Sequence, residues 1–187
     1  MLPDPGGRAP APWPLRGVQL FANTLDIENG VDELVTPADA VAALVRAGVV
    51  EGGVQASEAD LRTALEVREA LRAVLLANNG GPVLADAHAT LEAAARAGHL
   101  GVRFDDEGRA LLEAETTGVT GALAGLVAIA ATAMADGSWA RLKACRRDVC
   151  HWIFYDRSRN GASIWCAMSV CGNRTKTRTY RSRRRAA

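Results

Sequence analysis

Residues 145–171 read CRRDVCHWIFYDRSRNGASIWCAMSVC, and this stretch contains all four cysteines of the 187-residue chain. Cys145 and Cys150 form one C-x4-C pair, Cys166 and Cys171 form a second, and fifteen residues separate the two pairs. Tetrahedral zinc is typically held by two such pairs, each of which clamps one side of the ion while the intervening loop folds back. The spacing therefore predicts one structural zinc ion, Zn²⁺, bound by these four cysteines.

The loop between the two pairs favours this interpretation. Apolar and aromatic runs flank Asn160-Gly161, which is a strong hairpin signal, and a hairpin would bring Cys166 back beside Cys150. A module of about 45 residues is too small to bury an adequate core, and zinc contributes on the order of 10 kcal/mol to the folding of such units. Two alternatives are four buried thiols without a metal and replacement of one ligand by His151. Catalytic zinc is disfavoured, because four thiolates leave no coordination position for water.

A strongly basic segment, GNRTKTRTYRSRRR (172–185), follows the last cysteine directly. If this segment is helical, it places four arginines on one face, at spacings of four, three and four residues. Zinc bound at Cys171 would fix the direction of that cationic face, which suits DNA phosphates, while an Asn amide can read a base edge. The alternative is a disordered arginine tail that binds nucleic acids without sequence preference. The predicted nucleic-acid-binding residues are Asn173, Arg174, Lys176, Arg178, Arg181, Arg183, Arg184 and Arg185.

Charge is divided unevenly along the chain, although the net charge is only +1. Residues 1–140 carry 9 Lys/Arg and 19 Asp/Glu, whereas residues 141–187 carry 13 and 2. The first part therefore has a charge of −10 and the second a charge of +11. Such asymmetry predicts a polyanion-binding end attached to a part with another role. The alternative is that the two parts simply attract each other.

Two further stretches of the sequence indicate where in the cell the protein is located. The N-terminal stretch MLPDPGGRAPAPWPLRG has five prolines by Pro14 and lacks the apolar run of a secretory signal. The longest apolar stretch, 119–137, is short for a bilayer span and rich in alanine, so we interpret it as a buried core helix. We therefore expect a cytoplasmic protein with no membrane partner, in which thiols stay reduced.

Several helices and one hairpin are predicted before the cysteines. The stretches 36–48, 57–80 and 82–98 begin with a capping residue or Pro and place apolar residues on one face. HLGVRFDDEGRALLEAE (99–115) alternates around a turn, as a hairpin does. The predicted fold is thus a mainly α N-terminal domain with a small β-hairpin, plus a C-terminal zinc-stabilised β-hairpin and helix module of treble-clef-like form. The predicted parts are a mobile Pro-rich arm (1–16), a helical regulatory or sensor domain (17–136) and a four-cysteine zinc finger with a basic C-terminal segment (141–187).

Local motifs resemble a known family. LKAC, CHWIFYDRSRN, WCAMSVCGNR and the basic segment are similar to the CGNR zinc finger family, whose name is spelled by residues 171–174. Upstream, LFANTLD (20–26) and VREALRAVL (67–75) resemble the helical ABATE-type domain that usually accompanies this finger and is assigned to stress-induced transcription regulators. The resemblance implies a bacterial-type regulator, located in the cytosol or nucleoid, whose finger binds DNA.

Four polar residues of the helical part are candidates for a ligand pocket. Asn23 and Thr24 stand beside apolar residues, while Arg68 and Arg72 lie one helical turn apart and could bind an anionic ligand. The alternatives are helix capping for the first two and ion pairs with acids such as Glu69 for the arginines. Neither histidine of this part has a nucleophile or paired carboxylate at a useful spacing, so we do not expect an enzyme.

These observations leave three functional hypotheses. The leading one is a transcription regulator that binds DNA through the finger, with an N-terminal domain that senses a small-molecule ligand or forms a homodimer. The alternative is a zinc-stabilised protein-interaction or redox-sensing module without sequence-specific DNA binding. A third is RNA binding by stacking of the aromatic residues in 152–165, which packing within the hairpin would explain equally well.

Overall fold

The chain forms a layered set of α-helices with small antiparallel hairpins, as seen in a computed structural model that describes residue 2 and residues 7–177. The α-helices are α1 (Leu15–Ala22), α2 (Pro37–Arg46), α3 (Glu58–Ala77), α4 (Ala85–Ala97) and α5 (Gly118–Ala135). The strands are β1 (Leu25–Asp26), β2 (Val31–Asp32), β3 (Leu100–Phe104), β4 (Ala110–Ala114), β5 (Leu142–Ala144) and β6 (Ile153–Tyr155), paired β1–β2, β3–β4 and β5–β6. A 3₁₀ turn (Ser138–Arg141) precedes β5, and a π-helical turn (Met168–Gly172) follows β6. The predicted fold class is confirmed.

Capping boxes fix the starts of α2 and α3. Thr36 Oγ1 accepts the N–H of Asp39, and the Asp39 carboxylate accepts the N–H of Thr36 at 2.8 Å. Ser57 and Asp60 form the same reciprocal pair at the start of α3. These bonds satisfy N–H groups that have no partner within the helix, so both helices begin where the sequence predicts.

The β3–β4 hairpin forms as predicted, directly after α4. The Asp105 carboxylate closes its turn by accepting the N–H of Arg109 at 2.8 Å. The preceding helix begins later than predicted: the chain stays extended through Leu84, so α4 starts at Ala85 and not at Pro82. Proline tolerates the first helical turn but does not by itself start a helix.

α5 is the central helix of the core. It packs against α1, α2, α3 and α4, and its Val119, Leu123 and Leu126 are buried. The helices approach closely because of small residues: a Cβ on Gly98 would lie 2.2 Å from the Cβ of Ala124. α5 has the length and hydropathy of a membrane span. The helices packed around it account for that composition, in agreement with the interpretation of this stretch as a core helix.

The helical part and the cysteine-rich part share one hydrophobic core. Leu142 and Ile153 of the β5–β6 hairpin are fully buried in the same cluster as the apolar faces of α1 and α3. Asn79, just after α3, donates to the carbonyls of Ala144 at 2.7 Å and Ile164 at 2.9 Å. The two predicted domains are therefore joined by packing and by buried hydrogen bonds, and not only by a linker.

The described part of the N-terminal segment 1–16 contacts the zinc finger, while the mobility predicted for this segment stays a prediction. Arg8 Nε donates to the carbonyl of Cys166 at 2.6 Å, and its Nη2 donates to the carbonyl of Trp165 at 3.0 Å. The Arg8 guanidinium also lies 4.8 Å from the centroid of the Phe154 ring. Contacts with residues so distant in sequence hold this part of the segment against the finger.

We predict that Asn79→Ala lowers the free energy of unfolding by about 1–3 kcal/mol, because the buried Ala144 carbonyl loses its side-chain donor while the Ile164 carbonyl keeps the N–H of Arg146. Urea unfolding followed both by far-UV circular dichroism and by tryptophan fluorescence measures the effect. Since the two parts share a core, both signals should report one transition with the same shift. Gln55→Ala, which removes an exposed loop amide, is the control and should change stability by less than about 0.5 kcal/mol. Equal stability of the two variants would contradict the role of Asn79 at the junction.

Candidate metal centre

Separate segments of the chain bring the four cysteines together. Cys145 directly follows β5, and Cys150 lies in the turn before β6, where its N–H donates to the carbonyl of Arg147 at 2.8 Å. Cys166 follows the loop after β6, and Cys171 lies in the π-helical turn. All four side chains are buried. The loop of the β5–β6 hairpin brings Cys145 and Cys150 together. The predicted hairpin around Asn160-Gly161 is wrong: these residues form a turn after β6, and no strands pair around them in the described residues.

The sulfur positions fit one zinc ion. The four Sγ atoms lie within 4.8 Å of one another. Cys166 Sγ is 3.7 Å from Cys150 Sγ and 3.6 Å from Cys171 Sγ. Ligands about 2.3 Å from zinc at the corners of a tetrahedron are about 3.8 Å apart. The predicted structural zinc site is confirmed, with these cysteines and Cys145 as its donors.

Without a metal, the four thiols cannot all ionise. Hydrogen bonds from Cys150 and Cys166 lower the pKa of the Cys145 thiol to about 2. Hydrogen bonding to Cys145 and Cys150, together with burial, raises the pKa of Cys166. Protonated neighbours therefore stabilise one thiolate in the absence of metal. A zinc ion takes the place of those protons, so zinc binding releases protons from this cluster.

Aromatic side chains enclose the sulfurs. Trp152 and Phe154 are buried and pack with the cysteines in a cluster separate from the main core. These rings exclude water from the thiolates, which explains the aromatic run in the loop, and they are not presented to solvent for base stacking. His151 is outside the group of side chains whose ligand atoms cluster in the described part of the chain. It instead takes the left-handed conformation (φ 48°) directly after Cys150.

A buried ion pair supports the loop between β6 and Cys166. The carboxylate of Asp156 accepts the N–H of Ser158 at 3.0 Å and the N–H of Ser163 at 2.9 Å. It also accepts a hydrogen bond from Lys143 Nζ in β5 at 3.1 Å. Asp156 is 0% exposed, so its bond to Lys143 is shielded from water, while the bonds from the two serines are partly shielded. The pair ties β5 to the loop that returns the chain to the second cysteine pair.

The C-terminal helix begins at the last zinc ligand. Residues 173–177 are helical and continue the turn that contains Cys171. Three of the predicted nucleic-acid-binding residues, Asn173, Arg174 and Lys176, are exposed there. The others lie outside the described residues; they are Arg178, Arg181, Arg183, Arg184 and Arg185.

The structure adds two arginines to the site that the sequence analysis did not identify. Arg147 Nη1 lies 3.9 Å from Cys171 Sγ and donates to it, and Arg8 donates to the carbonyl of Cys166. Positive N–H donors stabilise thiolate charge at such sites. The place of Arg147 between the first two cysteines was a usable signal. No sequence signal pointed to Arg8, since it is 158 residues from its partner Cys166.

Three of the four candidate ligand-pocket residues bind other parts of the protein. The Asn23 amide accepts the N–H of Ile153 at 2.8 Å and donates to its carbonyl at 2.9 Å. The Thr24 hydroxyl donates to a carbonyl of α1 at 2.8 Å. Arg68 donates to both carboxylate oxygens of Asp32, at 2.5 and 2.9 Å. Hydrogen bonding and ion pairing thus engage these three side chains, and ligand binding by them stays a prediction.

Arg72 is the fourth candidate, and it lines a cavity of about 180 Å³ with Glu69 and His151. Its Nη1 donates to the carbonyl of Ala22 at 2.9 Å, while Nη2 has no hydrogen-bond partner among the described residues. That Nη2 atom is closed off from solvent, so a molecule in the cavity would reach it only after neighbouring side chains move. Ligand binding by Arg72 stays a prediction.

Fold and site together define the class of protein: a helical domain fused to a four-cysteine zinc finger that starts an exposed basic helix. A sequence profile of the CGNR zinc finger matches residues 141–184. A second profile, ABATE, described as "Putative stress-induced transcription regulator", matches residues 18–137, more than half of the chain. The chain belongs to the ABATE family, and the resemblance seen in the sequence is confirmed. A search of curated proteins finds no match to it.

We predict that Asp156→Asn lowers the free energy of unfolding by about 3–5 kcal/mol at pH 7, because Lys143 is left buried without its partner. Burial alone would raise the pKa of Asp156, but hydrogen bonds from Ser158, Lys143 and Ser163 outweigh burial and hold that pKa well below its usual range. A carboxylate with a lowered pKa stabilises the fold above its unfolded pKa, near 4, and loses this contribution as the pH falls further.

The stability difference between wild type and Asp156→Asn should therefore stay constant from pH 8 to about pH 5 and shrink only below about pH 4. Urea unfolding in excess zinc measures it, with zinc content followed in parallel. Ser169→Ala, at an exposed serine, should show no difference that depends on pH. A difference that already shrinks between pH 7 and pH 5 in the zinc-loaded protein would contradict a lowered pKa.

Proposed function

We propose that the protein regulates transcription by binding DNA through its zinc finger and the basic segment that follows. The observation that carries this proposal is the direct passage from the last zinc ligand, Cys171, into a helix with exposed Asn173, Arg174 and Lys176. A metal ligand at the start of a helix fixes the direction in which the helix leaves the finger. The zinc site therefore orients the positive charge, and does not merely sit beside it.

The chemistry of this helix suits a duplex. Arginine and lysine neutralise phosphates and release counterions, which supplies most of the non-specific affinity of DNA-binding proteins. In this proposal Arg174 and Lys176 contact phosphates, and Asn173 binds the edge of an adenine. The sequence after this helix adds five more arginines, which lie outside the described residues.

The N-terminal part supplies sensing or dimerisation in this proposal. Exposed apolar residues on the β3–β4 hairpin favour dimerisation: Val102 is 60% exposed and Phe104 is 73% exposed. Contiguous exposed apolar surface commonly marks a protein–protein contact. We do not assign catalysis, because four thiolates complete the coordination of zinc. The bacterial cytosol or nucleoid is the location that follows from this role.

The described structure favours DNA binding over the other two hypotheses. Oxidation of zinc-bound thiolates requires access to sulfur, and the four cysteines are between 0% and 7% exposed. Stacking on RNA requires exposed rings, but Trp152 and Phe154 are buried around the metal site and Tyr155 and Trp165 are half-buried.

We predict that replacing Arg183, Arg184 and Arg185 by glutamine weakens binding to duplex DNA and flattens its salt dependence. Each phosphate contact contributes about 0.9 to the slope of log affinity against log salt, so the triple variant should lose up to roughly 2.7 in slope. Fluorescence anisotropy of zinc-loaded protein with a labelled random duplex, over a salt series, measures both quantities.

The matched control removes the same charge elsewhere. Arg62, Arg96 and Arg103 are exposed on the helical part, and their replacement by glutamine should leave the slope unchanged. Equal slopes for the two triple variants would show that the basic segment is not the contact surface. Failure of the wild type to bind duplex even at low salt would overturn the proposed function.

A further inference from the structure

A carboxylate of the helical part lies between two arginines of the zinc finger. Glu28 is in the turn that joins β1 to β2. Its Oε2 accepts a hydrogen bond from Arg147 Nη1 at 2.8 Å, and its Oε1 accepts one from Arg174 Nη1. The contacts span 119 and 146 residues of sequence, so they form only because the two parts of the chain pack together.

The two arginines are fixed by the metal module. Arg147 lies between the first two cysteines, and the same Nη1 also donates to the sulfur of Cys171. Arg174 is in the first turn of the helix that starts at that cysteine. Zinc ligation therefore sets the backbone positions of the two arginines, while Glu28 is supplied from outside the finger.

The arrangement has the chemistry of a phosphate site. Two guanidinium groups each donate to one oxygen of a single anion, which is how arginines engage the two non-bridging oxygens of a phosphodiester. The Glu28 carboxylate occupies the position that such a phosphate would take. A duplex cannot use both arginines fully while that carboxylate holds them.

We propose that Arg147 and Arg174 form a phosphodiester-binding site, and that Glu28 is its internal occupant, which DNA must displace. The inference rests on the proposed DNA binding and adds to it a site and a means of restraint. Displacement is feasible because the contact is only partly shielded: the Arg174 side chain is 56% exposed and that of Glu28 is 29% exposed. Partly exposed ion pairs are weakened by water and salt.

The test is Glu28→Gln, which keeps the size of the side chain and removes its charge. Duplex affinity of the zinc-loaded protein at fixed, moderate salt should rise by about three- to tenfold, the range expected when two partly exposed ion pairs no longer compete. Glu51→Gln removes the same charge from an exposed loop before α3 and should change affinity by less than about twofold. Zinc content and thermal unfolding of each variant establish that folding is unchanged.

A second pair of variants locates the effect. The gain in duplex affinity from Glu28→Gln should disappear in an Arg174→Gln background. It should persist in an Arg146→Gln background, where a neighbouring exposed arginine is lost instead.

A gain in duplex affinity that does not depend on Arg174 would overturn the proposed phosphodiester site. If Glu28→Gln and Glu51→Gln bind duplex equally, the restraint by Glu28 is wrong although the proposed function stands. If no zinc-loaded variant binds duplex, the proposed function fails and this inference fails with it.

Discussion

Ligation of one zinc ion by four buried cysteines is the interaction on which the rest of the structure depends. The cysteines come from the end of β5, the turn before β6, the loop after β6 and the start of the C-terminal helix. The strands β5 and β6 pack into the main core, but around the sulfurs themselves the apolar cluster is small. Zinc supplies the folding free energy that so small a core lacks. The same ion decides where the basic helix starts and which way it leaves the finger.

The finger is also anchored to the helical part, and this gives the metal site a fixed relation to the rest of the protein. The β5–β6 hairpin contributes to the main core, and its backbone is bound by Asn23, just after α1, and by Asn79, just after α3. Arg8 reaches the finger from the N-terminal segment. A change in the helical part, such as association with a second copy, therefore has a structural route to the finger. The Glu28 contact lies on that route, because it joins the two parts at the edge where the basic helix begins.

Features set by local sequence were predictable, whereas those set by packing were not. The zinc ligands could be predicted because the spacing of the four cysteines lies within one short stretch. The capping boxes at Thr36 and Ser57 are likewise encoded within four residues. By contrast, Arg68 looked like a ligand residue because its partner Asp32 is brought near it only by the fold. The same holds for Glu28 and Arg174, whose pairing depends on how two distant segments meet. Their charges were visible in the sequence, but the contact was not.

The most direct test of the account is duplex binding by the same protein preparation with zinc, after chelation, and after zinc is restored, all under a thiol reductant. Removal of zinc leaves every lysine and arginine in place, so this experiment separates the presence of positive charge from its orientation. We predict that chelation lowers duplex affinity by at least about tenfold and abolishes any preference between duplex sequences, and that added zinc restores both. Chelated protein that binds the same duplex with the same affinity and preference would contradict the central claim that the metal site positions the DNA-binding surface.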